Sequence, residues 1–411
     1  MRLCGKALGL VSVLAVALMT AQVSAVAEEP LYPLAPSPVS SKDTHARLMA
    51  VAVDAAGNYY VTGSEKTAGY RRYAIVRKYR PGGGVEWERA WRLPNPRGSN
   101  GVDVTVGSDG AVYVVGSVYT GVYEGGGWFI RKYSAAGRFQ WHRATPGWRG
   151  GSAETFSAVA VGRGMVVASG YEYGCCDDPT RDGFVRAYDE NGRLLWTDPF
   201  EVPGLRRPFD QANDVALDGS GSAYVVGWSH TRRQRLSQMT VDREMVLQKL
   251  SSRGDVAWAR TFRDSGGKDR DEAVSVGVLG SQLMVAAHLN AGNGDPGNGW
   301  LGRFNLNGAR AWGGPFGLQK ARAAAPVELS IAPWGATYVV GDERDRDGGT
   351  DLFLRKWNPR GRLLWATVID KGRRSVYAEG VAAPAKGAYA TGGAHAARGK
   401  YLGSWIWRFA A

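Results

Sequence analysis

The sequence predicts an all-β protein built from a repeated unit of short antiparallel strands. Glycine makes up 57 of the 411 residues, about twice its average usage. Short runs rich in Val, Tyr, Trp and Phe alternate with glycine-containing turns, which is typical of antiparallel hairpins. A glycine followed four residues later by tryptophan recurs at intervals of 53 to 62 residues, and this period indicates a repeat architecture.

The glycine and tryptophan pairs mark the fourth strand of each repeat. Six copies are present: Gly83/Trp87, Gly137/Trp141, Gly192/Trp196, Gly254/Trp258, Gly308/Trp312 and Gly361/Trp365. First strands are expected at 50–54, 102–106, 158–162, 215–218, 274–278, 329–332 and 380–383. Second strands are expected at 59–63, 112–116, 165–170, 223–227, 283–287, 337–341 and 388–392, and third strands at 75–79, 129–133, 184–188, 246–250, 300–304, 353–357 and 405–409.

Four short strands repeated every 40 to 60 residues or so are typical of a β-propeller. The sequence therefore predicts a seven-bladed β-propeller of four-stranded antiparallel blades, forming one domain over residues 46–411. Only six fourth strands are found for seven blades. We expect residues 26–45 to supply the missing strand as a closure strap, because an open edge would pair with other chains. Four prolines in that segment restrict it to a short strand.

Residues 1–25 resemble a secretory signal peptide. Arg2 and Lys6 precede an apolar stretch over 7–19, and Val23-Ser24-Ala25 follows as a cleavage site. The apolar stretch is too short to span a membrane, which needs about 20 residues. We therefore expect an exported, periplasmic or extracellular protein that is monomeric and has no membrane span.

The charge of the chain is strongly basic. The formal net charge is +13 and falls to +11 when Arg2 and Lys6 are removed. Such a charge favours acidic partners, envelope polymers among them, although it also serves solubility. No nucleic-acid-binding motif is present, so nucleic acid is not an expected partner.

The repeat carries a resemblance to a known family. The pattern Asp-x-x-Gly-Asn-x-Tyr-Val-Thr-Gly at Asp54–Gly63, followed by Val-Arg-Lys-Tyr at Val76–Tyr79 and by the Gly-x-x-x-Trp element, resembles the bacterial extracytoplasmic β-propeller repeat family over residues 46–409. This resemblance implies a secreted or envelope propeller, and most such propellers have no assigned reaction. Ala287, where other units have glycine, and the turn at 382–387 depart from the pattern.

The Gly-x-x-x-Trp element is also similar to the tryptophan-docking motif of quinoprotein (PQQ-like) propellers. That similarity implies that six tryptophans stack between neighbouring blades as structural docking residues: Trp87, Trp141, Trp196, Trp258, Trp312 and Trp365. Cys175 and Cys176 are adjacent, as in the vicinal disulfide of some quinoprotein dehydrogenases. Adjacent Cα atoms lie about 3.8 Å apart, below the usual disulfide range, so a free or redox-inert pair is the alternative.

A binding site is expected on the face that carries the long connections, since these vary most. Arginine and exposed aromatic residues favour a partner surface there. Its candidate residues are Tyr70, Arg71, Arg72, Trp148, Arg232, Arg233 and Arg235, with a solvated insertion as the alternative. No histidine or cysteine spacing predicts a metal site. No motif predicts a catalytic residue.

The leading hypothesis is an exported, non-catalytic β-propeller that acts as a binding or scaffold module for a protein or an acidic envelope polymer, with no cofactor. The alternative is a quinoprotein oxidoreductase that uses PQQ with calcium. The docking tryptophans and the adjacent cysteines favour this alternative. The count of seven repeats and the missing threonine before the motif's glycine oppose it.

Overall fold

A computed structural model provides the structure of the chain. It describes residues 45–66, 72–93, 98–119, 126–145, 153–173, 181–202, 210–235, 238–264, 270–289, 297–317, 323–344, 349–369, 375–395 and 401–409, with the side chains of 45, 153 and 231–242 excepted. Secondary structure in these residues consists of β-strands and turns. The prediction of an all-β fold is confirmed.

The described residues form 27 strands. In chain order they are β1 (His45–Val53), β2 (Tyr59–Lys66), β3 (Arg72–Tyr79), β4 (Val85–Trp91), β5 (Gly98–Val106), β6 (Val112–Tyr119), β7 (Gly126–Tyr133), β8 (Phe139–Ala144), β9 (Ala153–Gly162), β10 (Met165–Tyr173), β11 (Arg181–Asp189), β12 (Leu194–Pro199), β13 (Asp210–Leu217), β14 (Ala223–Arg235), β15 (Gln238–Leu250), β16 (Val256–Phe262), β17 (Glu272–Leu279), β18 (Gln282–Leu289), β19 (Asn298–Phe304), β20 (Arg310–Phe316), β21 (Ala323–Ile331), β22 (Thr337–Arg344), β23 (Thr350–Trp357), β24 (Leu363–Ile369), β25 (Ser375–Ala382), β26 (Ala388–His395) and β27 (Tyr401–Phe409).

Consecutive strands pair antiparallel, and this pairing divides them into units. Units 1 to 6 have four strands each, from β1–β4 to β21–β24, and unit 7 has the three strands β25–β27. A single parallel bridge between Arg72 and Gly98 joins units 1 and 2. Four-stranded antiparallel sheets are thus confirmed. The segment 26–44, predicted to complete the last unit, lies outside the described residues.

Hydrophobic clusters fill the spaces between neighbouring units. Each of six clusters joins one unit to the next along the chain, as Tyr60 of unit 1 and Phe129 of unit 2 do in one of them. A seventh cluster contains residues of units 1 and 7, and in it Tyr59 stacks on Tyr389 with ring centroids 4.7 Å apart. Unit 7 therefore packs against unit 1.

The glycine and tryptophan of the repeat motif meet across these interfaces. A Cβ atom on Gly137 would lie 2.6 Å from the ring of Trp87 in the preceding unit, and the Trp87 indole N–H donates to Ala135 O at 3.1 Å. A Cβ atom on the corresponding glycine of units 3 to 6 would likewise lie 2.8 to 3.0 Å from the tryptophan ring of the preceding unit. The motif needs glycine because a flat ring covers this position.

A β-bulge interrupts the first strand of every unit at the same place. In unit 1 the register shifts between Leu48 and Ala50, so Met49 is the extra residue, and the other six first strands shift equivalently. The bulge explains the glycine of the second strand. A Cβ on Gly116 would lie 2.0 Å from Asn100 O, and five further second-strand glycines have such a carbonyl at 1.8 to 2.3 Å.

The bulge also explains a misplaced boundary. First strands begin two to six residues before the predicted starts, at His45 rather than 50 in unit 1. An extra residue reverses which side chains face the core, so the apolar alternation changes phase there. The pattern therefore identified only the part of each strand near and beyond the bulge.

Candidate functional site

One cavity of about 200 Å³ is lined by the first strands of all seven units. Its walls are the bulge residues and, in six units, the residues that follow them. The lining residues are Met49, Ala50, Val102, Asp103, Ser157, Ala158, Asn213, Asp214, Val274, Ser275, Val327, Glu328 and Glu379. The bulges thus place side chains from every unit around a common centre.

Three carboxyl groups occupy the position directly after the bulge, in units 2, 4 and 6. They belong to Asp103, Asp214 and Glu328. Asp103 accepts the N–H of Val104 through Oδ1 and the N–H of Val159, in unit 3, through Oδ2, both at 2.7 Å. Each carboxyl group therefore faces the cavity while fixed to the backbone that surrounds it.

Asp214 repeats this arrangement two units further on. Its Oδ1 accepts the N–H of Val215 at 2.7 Å, and its Oδ2 accepts the Val276 N–H and the Ser275 hydroxyl, both at 2.8 Å. Glu328 Oε2 accepts the Val381 N–H in unit 7 at 2.7 Å. These bonds join unit 4 to unit 5 and unit 6 to unit 7.

The three carboxyl groups hold protons more strongly than ordinary carboxyl groups do. Burial raises the pKa of Asp103 to about 7 and that of Asp214 to about 6, against the opposing effect of the backbone N–H donors. Burial also raises the pKa of Glu328 well above its ordinary value, and the charges of Asp103 and Asp214 raise it further. Such mutual effects are typical of functional sites.

Two more buried carboxyl groups belong to units 6 and 7. Glu379 lines the cavity and accepts hydrogen bonds from Arg47 of unit 1, at 2.8 Å for the shorter. Burial raises the pKa of Glu379, although Arg47 opposes this. Asp342 accepts the N–H of Ala378 at 2.7 Å, and burial raises its pKa to about 7. Asp342 lies in β22.

The described part of the chain does not test the predicted partner surface. Tyr70, Arg71 and Trp148 lie outside the described residues, as do Cys175 and Cys176. Arg72 begins β3. Arg232, Arg233 and Arg235 were expected in a loop. Instead they lie in β14, because pairing with β15 continues from Ala223 opposite Leu250 to Arg235 opposite Gln238.

The six predicted docking tryptophans all lie in fourth strands, and none lines the central cavity. Among the histidines, His230 packs against Trp228 with ring centroids 4.9 Å apart and accepts a hydrogen bond from Arg243. Burial, together with the charges of nearby arginines, lowers the pKa of His230 to about 4. It is therefore neutral at physiological pH.

Sequence reasoning missed the three carboxyl groups that face the cavity. The signal was present: Asp103, Asp214 and Glu328 each stand thirteen residues before the second-strand glycine of their unit. Aligning units 2, 4 and 6 on that glycine would have placed these three acids at one position. Among the described residues, no group of three or more His, Cys, Asp or Glu side chains is arranged to hold a metal ion. That part of the chain also contains no helix long and apolar enough to cross a membrane.

Comparison with solved structures shows a β-propeller fold. The chain is similar to a protein of unknown function from Dyadobacter fermentans, with 12% identity, coverage of 90% of this chain and 96% of that one, and a TM-score of 0.51. It is also similar to the propeller domain of the trilobed protease from Pyrococcus furiosus, with 9% identity, coverage of 88% and 95%, and a TM-score of 0.50. An α-L-arabinanase from Penicillium chrysogenum follows with 11% identity, coverage of 80% and 98%, and a TM-score of 0.43.

No protein-family model and no curated protein matches the sequence. The similar propeller domain from Pyrococcus furiosus belongs to an enzyme, the trilobed protease. This contradicts the hypothesis of a non-catalytic binding module, which is therefore wrong. The quinoprotein alternative is not supported by these structures either. At such low identity the likeness establishes the fold alone, and the chemistry has to be inferred from the cavity.

Proposed function

We propose that the protein is an exported hydrolase that cleaves glycosidic bonds with the carboxyl groups of Asp103, Asp214 and Glu328. One observation carries the proposal: three acids from three separate units stand at the same position after the bulge, around one cavity, and their charges interact. Joining the units does not by itself require acidic side chains, because the hydroxyl of Ser275 accepts the N–H of Leu329 in the same way.

Glycoside hydrolysis requires two carboxyl groups in different protonation states, an acid and a base or nucleophile. Glu328, whose pKa is raised well above its ordinary value by burial and by the charges of Asp103 and Asp214, is the proton donor to the leaving group. Asp214, with a pKa of about 6, is mostly ionised at neutral pH and acts as the base or nucleophile. Asp103 has a pKa of about 7, and its charge favours the protonated form of Glu328.

The hydrogen bonds to the backbone fix Asp103 and leave each of its oxygens able to accept a further hydrogen bond. A carboxylate oxygen has two lone pairs, and each oxygen of Asp103 accepts a single N–H from the described residues. Room remains for a substrate hydroxyl. Because the donors belong to paired strands, the acids are held in place before substrate binds, as electrostatic catalysis requires.

The size and charge of the cavity restrict the substrate. About 200 Å³ is smaller than the roughly 300 to 1,000 Å³ of drug-sized sites, which favours a single terminal sugar unit over a long internal segment. Carboxyl groups around the cavity repel anions, which favours a neutral sugar. No cofactor is required for this chemistry, and the expectation of none stays a prediction.

The finer fold assignment belongs to the same proposal. We assign seven blades, from the seven repeats and the packing of unit 1 on unit 7, and membership of the bacterial extracytoplasmic propeller repeat type, from the repeat pattern. The signal-like residues 1–25 support export and cleavage before Val26. Acidic envelope polymers and proteins stay candidate partners on the basis of net charge alone.

The test is hydrolysis by purified mature protein of a panel of aryl glycosides and of plant and bacterial polysaccharides. Asp214→Asn and Glu328→Gln should each lower kcat/KM at least 100-fold, as loss of general acid–base catalysis does. Glu190→Gln removes an exposed carboxylate and should change nothing. The proposal would be overturned if the wild type hydrolysed none of these substrates. It would also be overturned if Asp214→Asn and Glu328→Gln both kept full activity at an unchanged melting temperature.

A further inference from the structure

The cavity contains a repeated hydrogen-bonding position that can be followed through every unit. The second residue after the bulge directs its backbone N–H away from its own sheet, toward the cavity side. In six units this N–H has a side-chain acceptor: Val104 and Val159 bind Asp103, Val215 and Val276 bind Asp214, Leu329 binds Ser275, and Val381 binds Glu328.

These acceptors come from two places. The acceptor is always the side chain of a residue that directly follows a bulge. This residue belongs either to the preceding unit, as Ser275 does for Leu329 at 3.1 Å, or to the same unit as the N–H. Asp103 and Asp214 each act in both ways, because the units before theirs have alanine, Ala50 and Ala158, at that position. Asp103 and Asp214 thereby supply the acceptors that Ala50 and Ala158 cannot provide.

The seventh such N–H, that of Val51, has neither source. The preceding unit has Gly380 at the position after its bulge, and the own unit has Ala50. Neither residue carries a side-chain acceptor, and no other side chain among the described residues accepts from Val51. Among the described residues, the Val51 N–H at the joint between units 7 and 1 therefore lacks the side-chain acceptor that its six counterparts have.

Other polar groups surround the same joint. A Cβ atom on Gly380 would lie 2.9 Å from Glu328 Oε2, 3.0 Å from Thr391 Oγ1 and 3.1 Å from Ala50 Cα. Thr391 is fully buried, and its hydroxyl has no hydrogen-bond partner among the described residues. Buried polar groups without partners are rare, and they commonly mark a position that a ligand or water occupies.

We propose that an oxygen atom of the substrate binds at this joint, accepting the N–H of Val51 beside the carboxyl group of Glu328. The inference rests on the proposed function and names the place in the cavity where the substrate lies. The ligand class is a neutral sugar hydroxyl or ring oxygen. An anionic oxygen would meet the nearby carboxyl groups of Glu328 and Glu379.

Valine labelling gives a direct test, because five of the six N–H groups with acceptors also belong to valines. Mature protein labelled with [¹⁵N]valine would be titrated with D-glucose, D-galactose, D-xylose and L-arabinose. Val51 should exchange its amide proton at least tenfold faster than Val104, Val159, Val215, Val276 and Val381 without sugar. At least one sugar should shift its resonance and slow that exchange.

A matched pair of substitutions separates the open N–H from simple filling of the cavity. Ala50→Asn supplies an acceptor to Val51, as Asp103 does to Val104, and should weaken sugar binding at least tenfold. Ala158→Asn adds the same amide to the same cavity, where Val215 already has Asp214, and should leave binding within twofold.

Two results would overturn the inference: a Val51 resonance that no sugar moves, or equal losses in Ala50→Asn and Ala158→Asn. Failure of the proposed function gives a different pattern. If a sugar shifts the Val51 resonance but the protein hydrolyses no glycoside, the proposed hydrolase function is wrong and this binding position still stands. Hydrolysis of a glycoside without any shift of the Val51 resonance would overturn this binding position and leave the proposed hydrolase standing.

Discussion

The carboxylate of Asp103 accepts the backbone N–H of Val159, on the first strand of the next unit, at 2.7 Å. This bond places an acidic group in the central cavity and also links two sheets that are otherwise joined mainly by apolar packing. The same carboxyl group therefore affects both stability and chemistry. Variants at this position need a stability measurement beside every activity measurement.

Stability should fall as the pH rises from 6.5 to 8. Asp103 has a pKa of about 7 in the folded protein, whereas an unfolded aspartate titrates near 4, so the folded state binds more protons between these values. Stability from this group is complete below about pH 4 and is lost as the pH passes 7. His230, with a pKa lowered to about 4, acts in the opposite direction, but its effect is complete above about pH 6.5.

Thermal melting between pH 6.5 and 8 measures this effect. The wild type should melt at progressively lower temperature, and Asp103→Asn, which cannot ionise, should show a smaller decrease. A melting temperature that rises with pH, or an equal slope in the variant, would contradict the assigned pKa.

Gly116→Ala should destabilise the fold strongly. The new Cβ would lie 2.0 Å from Asn100 O, a backbone atom that cannot move without disturbing the bulge. We expect a loss of about 2 kcal/mol or more in the free energy of unfolding, comparable to overpacking a core. Gly82→Ala is the control, because a Cβ there meets nothing within 4 Å. Urea denaturation measures the free energy of unfolding of the two variants. Equal losses would show that the bulge does not require the glycine.

Trp87→Ala should cost about 3 to 5 kcal/mol, as loss of a large buried aromatic side chain does. The ring is 8% exposed and covers Gly137 of the next unit. Trp334→Ala removes a tryptophan that is 44% exposed, and its cost should stay below about 1 kcal/mol. If both variants unfold at the same denaturant concentration, the ring of Trp87 does not hold neighbouring units together.

Deletion of residues 26–38 from the mature chain should lower the melting temperature and promote association. Within the described residues, β27 pairs with β26 alone, whereas the third strands of units 1 to 6 each pair with two strands of their own unit. An edge without a partner strand is a template for pairing with other chains. Size-exclusion chromatography and melting would show this. An unchanged, monomeric deletion variant would mean that the segment does not close the last unit.

The repeat, the strand order and the four-stranded sheets could be predicted from the sequence because each depends on local patterns. Glycine turns, apolar alternation and the Gly-x-x-x-Trp pair lie within a few residues of one another. The beginnings of the first strands could not, because the extra residue at Met49 and its equivalents reverses the alternation. Asp214 and Glu328 lie just outside the predicted strands for that reason.

The cavity itself could not be predicted from local patterns. Asp103, Asp214 and Glu328 are more than 100 residues apart from one another in the chain, and only the packing of the units brings them to one place. Each acid, taken singly, is indistinguishable from a surface residue. Their raised pKa values depend on burial and on mutual repulsion, which are properties of the assembled fold.

The leaving-group dependence of Glu328→Gln tests the central claim most directly. With the sugar that the substrate panel identifies, kcat/KM is measured for a 2,4-dinitrophenyl glycoside, whose leaving group needs no proton, and for the phenyl glycoside, whose leaving group does. If Glu328 donates that proton, the variant should lose less than about tenfold on the first substrate and at least 100-fold on the second. Equal losses on both substrates would contradict the assignment of Glu328 as the general acid and with it the proposed catalytic site.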